Sequence, residues 1–422
     1  MTADQIRSLQ PELAALLDSF RPYLKRASNY GHLLAYVLGL LADLKRKSIE
    51  PIALAAGAAV RTLQEFLSFL DWDHEAANDH LQRQVGDRHA GARAIGVFDA
   101  SGHAKQGRMT PGVRRQWCGE TGKVDNCVVG QHLLYSDNHP TNPFSCALAG
   151  DLFLPEEWSN DRARCRKAGI PDDVVHRPKW RMALDQLKRA IGNGVRLWFV
   201  TFDEDYGKVP QFWFELDALG QQAVGEVPKH FRVFAQRPAC RSLQRAHGSK
   251  RVDNLCRLSP LFREQPWRRV TVKDTTRGPL VWEVKAGRVH MADASQQPSR
   301  PTDRQYALIV ARRPETGEIK YFISNASAAV SMEDLLTAAF ARWHIELWFE
   351  RAKQEAGLGA FEVRTYRSLL RHWFCSRLAM VFLAAQTQRL RGEKSGDHAG
   401  ASGGSEQCPG VDDLAAHLAL AG

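Results

Sequence analysis

The stretch Phe340–Lys353, FARWHIELWFERAK, decides how the rest of this chain is read. Phe340, Trp343, Ile345, Leu347, Trp348 and Phe349 place apolar groups nearly all round a helix, the pattern of a helix buried in a core. Arg342, Glu346 and Lys353 interrupt that pattern. At about 100° per residue the three charges fall within roughly 40° of one face. A carboxylate on a buried helix is costly without a charged partner. A metal ion is one such partner. A solvated stripe of Arg–Glu and Glu–Lys pairs at helical spacing is the other reading.

Two stretches upstream bear on that choice. Ala94–Phe98 (AIGVF) and Leu197–Phe202 (LWFVTF) are short apolar runs of the kind that form buried strands. The first runs into Asp99 and the second into Asp203, and strand ends are where open sheets present chemistry. Asp99, Asp203 and Glu346 would repel one another if gathered, unless a cation binds between them. Such oxygen ligands suit Mg²⁺ or Mn²⁺. Two such ions about 4 Å apart activate a water or hydroxyl and stabilise the leaving oxygen of a phosphodiester. Glu204, Asp205 and Glu350 are the rival carboxylates. Asp203 ranks above Asp205 because it directly ends the strand, and Glu350 lies further off the face of Arg342.

The segment from Ser101 to Asn126 is rich in Gly and carries Lys105, Arg108, Arg114, Arg115 and Lys123. It reads as a flexible loop outside the core, either meeting phosphate or simply solvated. Val128–Tyr135 and Ser145–Leu154 read as strands, which suggests an antiparallel meander. Trp180–Ala190 and Lys208–Leu219 read as helices. Residues 225–312 alternate and carry many breakers, with strands at Phe231–Ala235, Arg268–Lys273, Leu280–Lys285 and Tyr306–Arg312 and frequent cations, among them Arg241 and Arg245. KYFISN at 320–325 gives a further strand, and Ser331 is a candidate N-cap for the helix that holds Glu346. His103, His132 and His344 show no ligand spacing and read as structural or solvated.

Residues 1 to about 90 read as helical. The corner Pro51–Ala56, Gly57 and a helix from Val60 has the outline of a helix-turn-helix, which would put Arg61, Thr62, Gln64 and Glu65 where base-reading residues sit. Any two-helix corner gives the same outline. Arg367–Arg391 reads as a last long helix. EKSGDHAGASGGSEQCPG is of low complexity and reads as disordered, and DDLAAHLALA as a short helix.

Bulk properties agree with a globular protein of two or three domains: 422 residues, 44% hydrophobic and 25% charged. A formal net charge of +10 makes a polyanionic partner plausible. The eight cysteines, at 118, 127, 146, 165, 240, 256, 375 and 408, contain no Cys-x-x-Cys pair, so neither a zinc cluster nor a disulfide framework is indicated. No signal peptide and no apolar run long enough for a bilayer is read, so no membrane partner is expected.

With these words in place the chain resembles the DDE transposases of bacterial insertion sequences, whose catalytic domain is ribonuclease H-like. More narrowly it is similar to the branch with a Tyr-Arg-Glu-Lys signature and a β insertion before the catalytic Glu. Arg342-x3-Glu346-x6-Lys353 fits that signature in both spacings, while the Tyr position is Ala339, with Phe340 the nearest aromatic. The other matching words are FDASGHAKQG, RQWCGETGKVDNCVVG, LPEEW, TFDEDYG and RWHIELWFERAKQEAGLGAFEVRTY, spread over about residues 30 to 390.

The resemblance implies an α/β fold: a ribonuclease H-like mixed sheet with a β-rich insertion and an N-terminal helical domain. Its expected parts are a DNA-binding domain at 1–90, a catalytic domain at 93–391 interrupted at about 236–304, and a tail at 392–422. It implies that Asp99, Asp203 and Glu346 hold two Mg²⁺ or Mn²⁺ ions, and that Arg342 and Lys353 contact DNA phosphate. Lys105, Arg114 and Arg115 are added to the expected DNA contacts from the basic loop. The implied activity is binding of terminal inverted repeats, strand cleavage and strand transfer. The implied partners are double-stranded DNA, as element ends and target, and a second copy in a synaptic homodimer, in the bacterial cytoplasm at the nucleoid. The alternative is a catalytically inactive, sequence-specific DNA-binding protein derived from a transposase.

Overall fold

A computed structural model describes residues 3–237, 248–275, 278–293 and 299–397. Arg241, Arg245, Cys240, Cys408 and the carboxy-terminal DDLAAHLALA lie outside the described residues, as does the expected tail from 398 onward.

The chain opens with helices α1 (Ala3–Asp18), α2 (Ala27–Leu41), α3 (Ile49–Ala55), α4 (Val60–Ser68) and α5 (His74–Arg88). Strands β1 (Ile95–Ala104), β2 (Arg114–Cys118), β3 (Lys123–Ser136) and β4 (Ser145–Leu152) follow. Then come α6 (Glu156–Asn160), α7 (Arg162–Lys167), α8 (Lys179–Gly192), β5 (Phe199–Phe202), α9 (Glu204–Gly207), α10 (Pro210–Ala218) and β6 (Ala223–Val227). Next come β7 (Arg232–Phe234), β8 (Lys250–Arg251), α11 (Val252–Leu258), α12 (Pro260–Arg263), β9 (Arg268–Thr275), β10 (Gly278–Asp293) and β11 (Arg300–Pro301). β12 (Tyr306–Arg312), β13 (Ile319–Ser324), α13 (Met332–Phe340), α14 (Trp343–Glu355) and α15 (Tyr366–Asp397) complete the described chain.

The chain divides into two compact units. One holds the described residues up to Ala94, Asp99–Arg196 and those from His344 onward; the other holds Ile95–Phe98 and Leu197–Trp343. In the first unit β3 pairs antiparallel with both β2 and β4, and the later part of β1 lies beside β3. In the second, Ile95–Phe98 of β1 pairs in parallel with β5, β5 pairs in parallel with β6, and β6 pairs antiparallel with β13. From there the antiparallel order runs through β12 and β10 to β7 and β8, with β9 and β11 also on β10. The order β4-β3-β1 leading into the parallel run β1-β5-β6, with α8 between β4 and β5, gives the ribonuclease H-like mixed sheet.

The amino-terminal helices are fixed by polar bonds as well as by leucines. Arg371 on α15 is buried, lies over the Trp72 ring, and donates to the carbonyls of Phe66, Leu67, Leu70 and Trp72. Burial pulls its pKa down to about 10. Tyr36 bonds His372 Nδ1 at 2.8 Å, and the other nitrogen of that ring meets the Gly357 carbonyl at 2.9 Å.

The structure departs from the sequence reading in three places. The Phe340–Lys353 helix is broken: α13 ends at Phe340, Ala341 and Arg342 form a turn, and α14 starts at Trp343. Each half is anchored in its own core. Phe340 packs on Trp282 and Phe322, whereas Trp348 and Phe349 pack on His132. α14 buries only Ile345, Trp348, Phe349 and Ala352, and leaves Glu346 and Glu350 exposed. Ser331 caps α13, accepting the Asp334 amide at 3.1 Å, instead of the helix with Glu346. The supposed loop after Asp99 is largely β structure. β1 continues to Ala104 with Ser101, Gly102 and His103 buried, and Arg114 and Arg115 ride on a hairpin strand.

Candidate active site

Asp99 sits within β1, half-buried, and its Oδ1 accepts the Ala100 amide at 2.7 Å. Asp203 follows β5 directly and is the N-cap of α9, with its Oδ1 accepting the Asp205 amide at 2.9 Å. The two strands are in parallel register from Ile95 with Phe199 to Phe98 with Phe202, and each Asp is the next residue in its chain segment. Glu346 lies exposed in the first turn of α14, where the helix dipole favours a carboxylate. Of the rivals, Asp205 already pairs with Lys208 at 2.6 Å, and Glu204 and Glu350 are exposed.

Residues 19–279 match the family described as DDE superfamily endonuclease, a span that includes Asp99 and Asp203. The chain belongs to the DDE superfamily endonucleases. It is also 33% identical over 93 residues to a "Probable transposase for insertion sequence element IS701" of Microchaete diplosiphon. That alignment spans 22% of this chain and 24% of the relative. Among solved structures the chain is similar to the piggyBac transposase in a synaptic complex with hairpin DNA, with a TM-score of 0.44 at 9% identity over 96% of this chain and 77% of that one. It is also similar to the NurA nuclease of Sulfolobus solfataricus, with a TM-score of 0.25 at 10% identity over 76% and 93% of the two chains.

In this DDE superfamily endonuclease Asp99, Glu346, Lys353, Lys105, Arg114 and Arg115 lie in the first unit, and Asp203 and Arg342 in the second. Among the described residues no three His, Cys, Asp or Glu side chains are gathered closely enough to hold a metal ion. The donor chemistry of the acidic trio still suits a hard cation. Mg²⁺ commonly takes one or two carboxylates and completes its shell with water and substrate phosphate.

The expected cations differ in what they do. Lys353 Nζ donates to the Gly102 carbonyl at 3.4 Å, which ties α14 to β1 three residues beyond Asp99. Lys105 turns inward: its Nζ donates to the Gly359 carbonyl at 2.7 Å and lies 3.7 Å from the Phe361 ring centroid. Burial lowers its pKa to about 8. Arg114 and Arg115 are exposed on β2, and Arg114 pairs with the exposed Glu157 at 3.3 Å. Trp117 of the same strand is 65% exposed and stands opposite Val124, which is 53% exposed. Sequence reasoning missed this pair, because a strand whose apolar residues face outward carries no burial pattern.

The missing signature Tyr falls at Ala339, buried in α13, whose carbonyl accepts the Thr201 hydroxyl at 3.5 Å. His103 and His132 are fully buried. Burial holds both rings neutral, His132 at about 3. They are core residues, and the solvated reading does not apply to them. At the helical corner, Gly57 takes a φ of 61° between α3 and α4, and the 86% exposed Arg61 pairs with Glu65 at 2.8 Å.

Proposed function

We propose that this endonuclease is a DNA transposase that binds the terminal inverted repeats of its own element, cuts there and joins the ends to target DNA. The observation that carries the reading is the register of β1 with β5, which brings both strands to an Asp, in a chain whose family is that of DDE endonucleases. In this reading Asp99, Asp203 and Glu346 hold two Mg²⁺ or Mn²⁺ ions. The ions supply Lewis-acid polarisation of the scissile phosphate. The carboxylates also orient the attacking oxygen and take part in moving its proton. Water attacks phosphorus and the 3′ oxygen leaves as a hydroxyl. That hydroxyl then attacks a target phosphodiester, whose own 3′ oxygen leaves. No covalent protein–DNA bond is required.

Arg342, Lys353, Arg114 and Arg115 serve as phosphate contacts, and Lys105 supports the strand that bears Asp99. Trp117 offers an aromatic face beside those cations, suited to stacking on a base. The amino-terminal helices bind DNA, and two copies act on paired ends.

The test is a cleavage assay on a plasmid that carries the flanking ends of the gene, with Mg²⁺, with Mn²⁺ and with chelator, beside Glu346→Gln. Metal-dependent cuts at the ends and integration products, both lost in Glu346→Gln, are expected. Sequence-specific binding without cuts under any metal would instead assign the chain to a catalytically inactive DNA-binding protein.

A further inference from the structure

The segment between α2 and α3 reads Leu44-Lys45-Arg46-Lys47-Ser48, and none of the roles above uses it. It lines a recess of about 400 Å³ together with Lys353, Gln354 and the segment after α14. Lys45, Arg46, Lys47 and Lys353 are the cations in the lining, and Glu362 is the acid. Lys45 and Arg46 are exposed, and among the described residues neither has an ion-pair partner. Positive charge without a matching counter-charge in a concave site raises the local concentration of anions.

The recess is built on a fixed floor. Lys47 is buried, and its Nζ donates to the Glu355 carbonyl at 2.8 Å, at the carboxy-terminal end of α14 where a cation suits the helix dipole. Burial lowers its pKa, and nearby Glu355 and Asp43 oppose that shift. Gly357 has a φ of 59°, and a Cβ there would stand 2.6 Å from the Lys47 Cβ. Both the backbone conformation and the close approach require glycine. The basic segment is thereby pinned to the end of the helix that carries Glu346.

We propose that this recess seats a phosphate of the DNA backbone, with Lys45 and Arg46 joining Lys353 around it. The inference rests on the DNA-binding reading above and adds to it a physical link. DNA held by the amino-terminal region engages a segment that Lys47 bonds to the end of α14, so that backbone contact and the placement of α14 are coupled.

The experiment measures affinity of the full chain for a short random-sequence duplex by fluorescence anisotropy across a salt series. Lys45→Ala/Arg46→Ala is compared with the unaltered chain. The double variant is expected to bind several-fold more weakly on every sequence, with the log–log salt slope reduced by about 1 for a lost phosphate contact. Glu362→Gln is expected to bind more tightly, and an unchanged melting temperature in each variant shows that the fold persists. Failure of the unaltered chain to bind any duplex would sink the DNA reading itself. Binding by the unaltered chain with the same affinity and slope in the double variant would overturn the seat alone. Displacement of the duplex by inorganic phosphate at matched ionic strength would also overturn it, in favour of a free-phosphate site.

Discussion

Phe98 and Phe202 are the last registered pair of the parallel strands β1 and β5, and each is followed in sequence by an aspartate. The pair is held from the side. Phe202 contacts Phe212 and Trp213 at ring-centroid distances of 4.9 and 5.0 Å, and Phe98 contacts Phe212 at 5.9 Å. The core of the second unit thus holds both strands up to Phe98 and Phe202.

Gly225 on β6 faces Phe202 in the register, and a Cβ there would lie 2.1 Å from the Phe202 ring. Gly225→Ala must therefore push aside a ring that is itself packed on two others. The expected cost is about 2 kcal/mol of stability, read from the midpoint of urea unfolding. Cleavage should fall further than that loss alone requires, because the displaced strand leads to Asp203.

Asp203→Asn keeps a good cap for α9, since Asn accepts a backbone amide as Asp does. Cleavage is expected to drop to background while DNA binding and melting temperature hold. Asp205→Asn loses only an exposed pair with Lys208, worth less than about 1 kcal/mol. It should retain most cleavage. Equal loss in the two variants would refute the choice of Asp203 over Asp205.

Lys353→Met keeps the length of the side chain but removes its bond to the Gly102 carbonyl and its charge. The bond itself contributes about 1 kcal/mol. Weaker binding on all duplexes and a salt slope lower by about 1 are expected if the charge meets phosphate. A variant that melts early yet binds with the same slope would confine Lys353 to holding α14 on β1.

Burial places the pKa of His132 near 3 and those of His74 and His372 near 4, all below the ordinary value of 6.5. As pH falls through 6.5 the unfolded chain takes up these protons first. The stability linked to these rings is therefore full above that pH, declines below it, and levels off once pH passes the folded values. At pH 5 a fully buried ring of this kind has lost about 2 kcal/mol of its contribution. A melting temperature that drops steadily from pH 7 to 5, and drops less in His132→Asn, is the expected record. A flat profile would refute it.

Much of the fold was legible from residue order. Val128–Tyr135 and Ser145–Leu154 alternate little because β3 and β4 are buried along most of their length, and such runs are read easily. The strand before Asp203 was legible for the same reason. The break at Ala341–Arg342 was not, since no Gly or Pro marks it; the interruption comes from two cores that claim opposite ends of one apolar stretch. The hairpin that bears Arg114 and Trp117 was hidden by its outward-facing side chains. Lys45 and Arg46 gave no periodic signal at all. Their place follows from Gly357, a residue that adjoins them only in space.

The clasp of Arg371 on the carbonyls of residues 66 to 72 has an evolutionary corollary. Replacing helices α1–α5 of this chain with those of another protein would leave the Arg371 guanidinium buried without acceptors, at a cost of about 3–5 kcal/mol. The amino-terminal region is therefore a poor module for exchange. Under the proposed function, new recognition of DNA is more readily reached by changing single exposed residues such as Arg61 than by borrowing the region whole.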